Sequence, residues 1–117
     1  MANTFKIDTK SSVVTDAVSS TNTNVVTAGG SATLVLLSCL VSNKTASSAD
    51  VDVYLVTNSG DDVYIIRNAP VPAGSSLEIM SGNKLVLMND GSNGDNLEAI
   101  ASAASALDVT VSVLEDV

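Results

Sequence analysis

Chemistry-bearing side chains are few in this chain, and most of them are carboxylates. Asp50, Asp52, Asp61, Asp62, Asp90 and Asp95 could supply a pair for acid–base work of the kind that cleaves glycosidic bonds. Such a pair works in a cleft, which aromatic rings line where the substrate is a sugar. Phe5, Tyr54 and Tyr64 are the only aromatic residues, so that lining is missing. Histidine, the side chain best matched to proton transfer at neutral pH, is absent. Its absence excludes Ser–His–Asp, Cys–His and His-ligated metal sites. The chain also lacks GxGxxG, P-loop and GxSxG motifs. No catalytic residue is assigned, and an enzyme is not expected.

Two further stretches invite chemistry. In Asp90-Gly-Ser-Asn-Gly-Asp95, the oxygens of Asp90, Asn93 and Asp95 could converge on a hard cation such as calcium. The EF-hand spacing fails, with Ser92 at the third position and Ala101 at the twelfth, where a bidentate Glu belongs. A polar turn is the simpler expectation, so neither a metal nor a cofactor is assigned. Cys39 is the single cysteine, which rules out an intrachain disulfide and a thiolate cluster. It lies in the apolar run LVLLSCLV with no cation nearby in sequence, and so reads as a small buried hydrophobe. Asn43-Lys-Thr45 matches a glycosylation sequon, but no secretory signal makes it relevant.

What remains is a chain built to fold. Its 117 residues are enough for one domain with one core. Residues are 45% hydrophobic but only 3% aromatic, so the core must be aliphatic. Only 15% are charged, unlike a disordered acidic tail. The net charge is −8, and the five cations (Lys6, Lys10, Lys44, Arg67 and Lys84) are scattered. They build no basic stripe to displace counterions from phosphates, so neither nucleic acid nor an anionic membrane is an expected partner. MANTFKIDTK has no apolar signal region, and no apolar run approaches the ~20 residues of a membrane helix. Synthesis in the cytoplasm and a soluble product are expected.

Residues 1–28, rich in Ser, Thr and Asn, read as an N-terminal arm with room for one or two edge strands. Residues 29–117 read as the β-domain. A long strand follows the glycine turn in 29–43. Residues 49–58 alternate Val51, Val53 and Leu55 against Asp52, Tyr54 and Val56. Residues 58–62 form a hairpin loop around Gly60, with 62–68 as the return strand. APVPAGSS (69–76) is a stiff corner, because prolines do not sit in a central ladder. Residues 77–80 and 84–88 read as a short strand pair across the turn at 81–83.

Residues 98–115, EAIASAASALDVTVSVLE, pull two ways. Asp95 as an N-cap with Glu98 three residues on would start a helix, with Leu97, Ile100, Ala104 and Leu107 on one face. But Leu107, Val109, Val111 and Val113 already alternate with polar residues, which demands a strand. The preferred reading pairs residues 97–103 with 107–114 as a closing hairpin, leaving the alanines as a flat surface for a neighbouring backbone. The fold class is all-β: an antiparallel sandwich or jelly-roll-like small barrel of about seven or eight strands.

Several strands are apolar on both sides. Val35, Leu37, Cys39 and Val41 fall on one face of the long strand, and Leu34, Leu36 and Leu40 on the other. Val63/Ile65 against Tyr64/Ile66, and Leu85/Leu87 against Val86/Met88, repeat the pattern. A sandwich strand should carry one polar face, so the second apolar face is expected to meet another subunit.

Val71-Pro-Ala-Gly-Ser75, Lys84-Leu-Val-Leu87, Gly94-Asp-Asn-Leu97 and the Leu107–Glu115 strand together resemble small virion structural proteins of tailed bacteriophages, including those infecting marine cyanobacteria. The resemblance covers about residues 30–116 and departs at Gly91-Ser-Asn-Gly94, a longer loop than the pattern. It implies a β-sandwich virion subunit in which the Gly-Asp turn delivers a strand. The expected role is a capsid decoration (cement) protein that binds the major capsid protein as a small oligomer, most simply a trimer. A neck, tail or fibre-attachment subunit is the alternative. A carbohydrate- or receptor-binding module is the alternative from another class.

Overall fold

The alternation that demanded a strand at the C-terminus organises a whole sheet. In the computed structural model, which describes residues 3–10, 24–29, 33–80, 84–91, 93–103 and 106–116, nine strands form two antiparallel sheets. They are β1 (Asn3–Lys10), β2 (Asn24–Thr27), β3 (Thr33–Asn43), β4 (Ala49–Val56) and β5 (Asp62–Val71), followed by β6 (Ser76–Glu78), β7 (Leu85–Met88), β8 (Asn96–Ala101) and β9 (Leu107–Asp116). No helix occurs among the described residues. The five-stranded sheet runs β1-β9-β3 and ends in β6 and β7, which both pair with β3. The four-stranded sheet runs β2-β8-β4-β5. Only the β4–β5 and β6–β7 connections stay within a sheet, and every other one changes sheet.

Between the sheets lies an aliphatic core. The five-stranded sheet gives it Leu34, Leu36, Cys39 and Val41 from β3, Leu87 from β7, and Leu107, Val109, Val111 and Val113 from β9. The four-stranded sheet gives Val26, Val51, Val53, Val71, Leu97, Ala99 and Ala101. Outside the bulged positions of β2, β3 and β5, alternate residues point inward, which is the period-2 rule acting on both sheets. The smallest extent of the molecule, 20 Å, is that of two stacked sheets with their side chains.

Four expectations change. First, residues 97–103 and 107–114 do not pair with each other. β8 lies between β2 and β4, and β9 lies between β1 and β3, so the chain crosses the sandwich after Ala101. Ala99, Ala101 and Ala106 are buried in the core rather than laid out as a surface. Small residues serve an inner face as well as an interface, and sequence alone does not separate the two. The helix alternative also falls: Asp95 caps no helix, and β8 begins at the next residue.

Second, β6 and β7 do not pair with each other. β6 lies against Leu40–Ser42 and β7 against Thr33–Leu36, so they share the edge of β3 end to end. The strand count of nine exceeds the expected seven or eight because residues 1–28 supply two strands, β1 and β2. Third, β5 runs through Pro70 to Val71, placing the corner at residues 72–75. Proline is tolerated there because β5 is an edge strand.

Fourth, the two faces of β3 are not the simple alternates. Leu36 opposes Val113 and Ser38 opposes Ser112, so Leu37 is an extra residue in a β-bulge. The bulge shifts the parity: Leu34 and Leu36 before it share the inner face with Cys39, Val41 and Asn43 after it.

Residues 1–28, set apart in the sequence as an arm, contribute the edge strands β1 and β2, one to each sheet. Residues 11–23 lie outside the described residues, as does the turn at 81–83.

Candidate functional site: an outer apolar face

The carboxylates weighed for chemistry are spread out, and several are occupied by backbone. Asp95 accepts Asn58 N–H through Oδ1 at 2.8 Å and Met88 N–H through Oδ2 at 3.0 Å. Its carbonyl accepts Ala28 N–H, so one residue ties together the β4–β5 loop and the ends of β7 and β2. Asp90 Oδ1 accepts Asn93 N–H at 2.7 Å, an interaction that closes its own turn. Gly94 beside it passes so close to Ala28 that a Cβ would collide with that residue's carbonyl oxygen. The loop weighed for calcium is therefore held as a junction between elements. Among the described residues no three Asp, Glu, Cys or His side chains gather as a metal site.

Asp52 Oδ1 accepts Asn68 N–H at 2.7 Å, holding the β5 bulge in which Asn68 has a φ of 54°. Asp50 and Asp52 flank Ile100 and Ser102 on the outside of the four-stranded sheet. Asp61 and Asp62 are exposed at the β4–β5 turn, where Gly60 takes a φ of 95°. Asn43, the sequon residue, is buried. Its amide donates to Ser47 O and Val71 O and its carbonyl accepts from Thr45, so it organises the 44–48 loop. Cys39 is buried as expected, and its thiol is pushed up to about 12, by burial first and by the Glu78 carboxylate second. Glu78 accepts both Cys39 N–H and Met80 N–H just past the Leu37 bulge.

Of the three aromatic residues, Tyr54 is buried against Tyr64, with ring centroids 5.1 Å apart, and donates to Glu98 at 3.3 Å. Arg67 lies over the Tyr64 ring at 5.0 Å, covering the one tyrosine exposed enough to stack on a sugar. A cleft of about 600 Å3 opens where the β2, β4 and β7 ends meet, lined by amides and hydroxyls such as Thr57, Asn58, Asn89, Asn93 and Asn96. Asn96 Oδ1 is buried there without a hydrogen-bond partner among the described residues.

Phe5 stands apart from all of these, at 76% exposure on β1. In the register of the five-stranded sheet Phe5 faces Leu114, Leu114 faces Val35, and Val35 faces Val86. Directly opposed residues of antiparallel strands point to the same side, and this side is opposite to Val111 and Val113, hence outward. One apolar row thus crosses four strands on the outside of the sheet. Ile7 (66% exposed) and Met88 (53%) flank it. Farther along, Leu40 apart, the same face turns polar through Ser112, Ser38 and Thr110 to Asp108, which pairs with Lys44 at 2.9 Å. The apolar second faces of β3 and β7 were legible in the sequence. The contribution of β1 was not assigned, although Phe5 and Ile7 alternate with Lys6 and Asp8 in the opening residues.

No protein-family model and no curated protein matches the chain. Among solved structures, the Drosophila NLP-core, described for its pentamer formation and histone binding, is similar over 97% of this chain and 99% of its own, with 12% identity and a TM-score of 0.51. That likeness shows the β-sandwich fold alone. A pentameric capsid protein from metagenomic phage sequences is similar over 97% of this chain and 60% of its own, with 19% identity and a TM-score of 0.36. A xylan-binding domain from Paenibacillus barcinonensis covers 74% of this chain and 56% of its own, with 14% identity and a TM-score of 0.35. Neither of these weaker likenesses bears on function.

Proposed function

We propose that this chain is a non-catalytic virion subunit of a tailed bacteriophage, made in the host cytoplasm, that works by meeting neighbouring subunits through the outer apolar face of its five-stranded sheet. The observation that carries this reading is the Phe5–Leu114–Val35–Val86 row, because a small sandwich that works alone keeps its outer faces polar. The sequence resemblance to phage virion proteins supports the setting. The most specific form of the reading is a capsid decoration protein. It sits on the lattice of the major capsid protein as a small oligomer, most simply a trimer, and resists internal pressure by bridging subunits. The pentamer named for the Drosophila protein is the other oligomer to test for. A net charge of −8 opposes non-specific association, so contact between such subunits depends on burial of the apolar face.

Cryo-electron microscopy of virions carrying this chain tests the reading. Density for the sandwich at capsomer junctions over the whole head is expected. Density confined to the portal or tail axis would replace the decoration role with a neck or tail role. Absence of the chain from the particles would end the reading altogether.

A further inference from the structure

Two sheets leave four edges, and three of them are blunted. β5 carries two bulges and Pro70. β2 is four residues long and bulged at Val25. The edge of β3 is covered by two separate short strands, β6 and β7. These are the devices by which sheet proteins prevent edge-to-edge pairing. Among the described residues β1 has no bulge, no proline and no covering strand, and its inner side carries the charges Lys6 and Asp8. It is eight residues long, pairs with β9 without a register shift, and ends the five-stranded sheet.

We propose that β1 pairs with β1 of a second copy, antiparallel and about a twofold axis at Ile7. This deepens the assembly reading above and rests on the chain being a self-associating subunit.

The register follows from symmetry and charge. In an antiparallel pair, opposed residues both turn their backbone groups toward the partner strand or both turn them away. Two identical strands therefore pair residues of the same parity, which also keeps outer side chains on the outside. Two registers overlap β1 equally well. One places Lys6 opposite Lys6 of the second copy, setting like charges face to face. The other places Ile7 opposite Ile7 and Lys6 opposite Asp8, twice by symmetry. Lys6 and Asp8 lie together on the side of β1 that faces β2, where Lys6 already pairs with Glu115 at 3.2 Å. The Ile7-centred register extends that charge alternation across the axis. On the outer side it brings together Phe5 and Ile7 of both copies and joins the two apolar rows into one surface. In isolation this contact gives a dimer, and on a lattice it links neighbouring oligomers.

Engineered cysteines read the register directly. At the axis, Cα atoms of opposed residues lie about 4.5–5.5 Å apart, within disulfide reach. Thr9 and its copy would be four residues out of register, roughly 13 Å apart and out of reach. Under mild oxidation Ile7→Cys should convert to a covalent dimer, while Thr9→Cys and the unsubstituted chain, whose Cys39 is buried, should not. A second test mixes two charge variants. Lys6→Asp and Asp8→Lys should each fail to dimerise alone, and should form a mixed dimer when combined. Failure of Ile7→Cys to cross-link in a protein with an intact β spectrum, equal cross-linking through Thr9→Cys, or no mixed dimer would overturn the pairing. If the unsubstituted chain still assembles in solution under any of those results, the assembly reading survives without the β1 contact. A chain that is strictly monomeric ends both.

Discussion

Phe5, Leu114, Val35 and Val86 cross the outside of the five-stranded sheet in one register, whereas the outside of the four-stranded sheet mixes Asp50, Asp52 and Glu98 with Tyr54, Tyr64, Val56 and Ile100. The inner faces are alike in their aliphatic composition, so core formation does not account for the difference. On the four-stranded side, polar groups are satisfied within the chain: Tyr54 reaches Glu98, Asp52 holds Asn68, and Arg67 covers Tyr64. On the other side, Phe5, Ile7, Val86 and Met88 are all more than half exposed. The apolar row on the second face is the surface that the proposed assembly would use.

The largest expected effects lie where the two sheets are the same. Leu36→Ala in the five-stranded sheet and Leu97→Ala in the four-stranded sheet should each cost about 2–5 kcal/mol in denaturant unfolding. Both side chains are fully buried, so a loss confined to one sheet would break the claim of a shared core.

Next comes Cys39, which tests which face of β3 is inside. With the Leu37 bulge, the thiol points into the core and should resist alkylation at pH 8 until the protein unfolds. Its proton is held more tightly in the folded state than in the unfolded one. Stability from this group is therefore full below its ordinary 9.0 and falls as pH rises toward about 12. The slope is at most about 1.4 kcal/mol per pH unit, and Cys39→Ala should remove it. Prompt labelling of the native thiol would place Cys39 on the outer face.

The smallest effect belongs to the polar end of the outer face. Lys44→Ala breaks an exposed pair with Asp108 and should change stability by no more than about 0.5 kcal/mol, with assembly unaffected.

Legibility in the sequence followed a physical divide. The alternation of Leu107, Val109, Val111 and Val113 gave β9 directly, and the same periodicity gave β4 and the all-β class. Pairing partners were not legible for β8. Its Leu-Glu-Ala-Ile-Ala pattern fits any aliphatic neighbour, and adjacency in sequence suggested β9 where the fold supplies β2 and β4. The β3 bulge was hidden for a related reason. Leucine or valine stands on both sides of Leu34–Leu37, so the place where the parity shifts is not visible there, and the register with β9 reveals it. The apolar outer face was half legible. Val86 and Met88 announced it, while Phe5 and Ile7, in a segment read as an arm, needed the β1–β9 pairing to join the row.

The central claim is that subunits meet through that row, and solution mass at micromolar concentration tests it most directly. Sedimentation of the unsubstituted chain should give a defined oligomer. The double variant Phe5→Ser/Val86→Ser should stay folded and lose the assembly made through the row, keeping at most the β1-paired dimer, whereas Ile100→Ser, on the outer side of the four-stranded sheet, should leave the oligomer intact. A monomeric unsubstituted chain, or a double variant that assembles as before, would contradict the account.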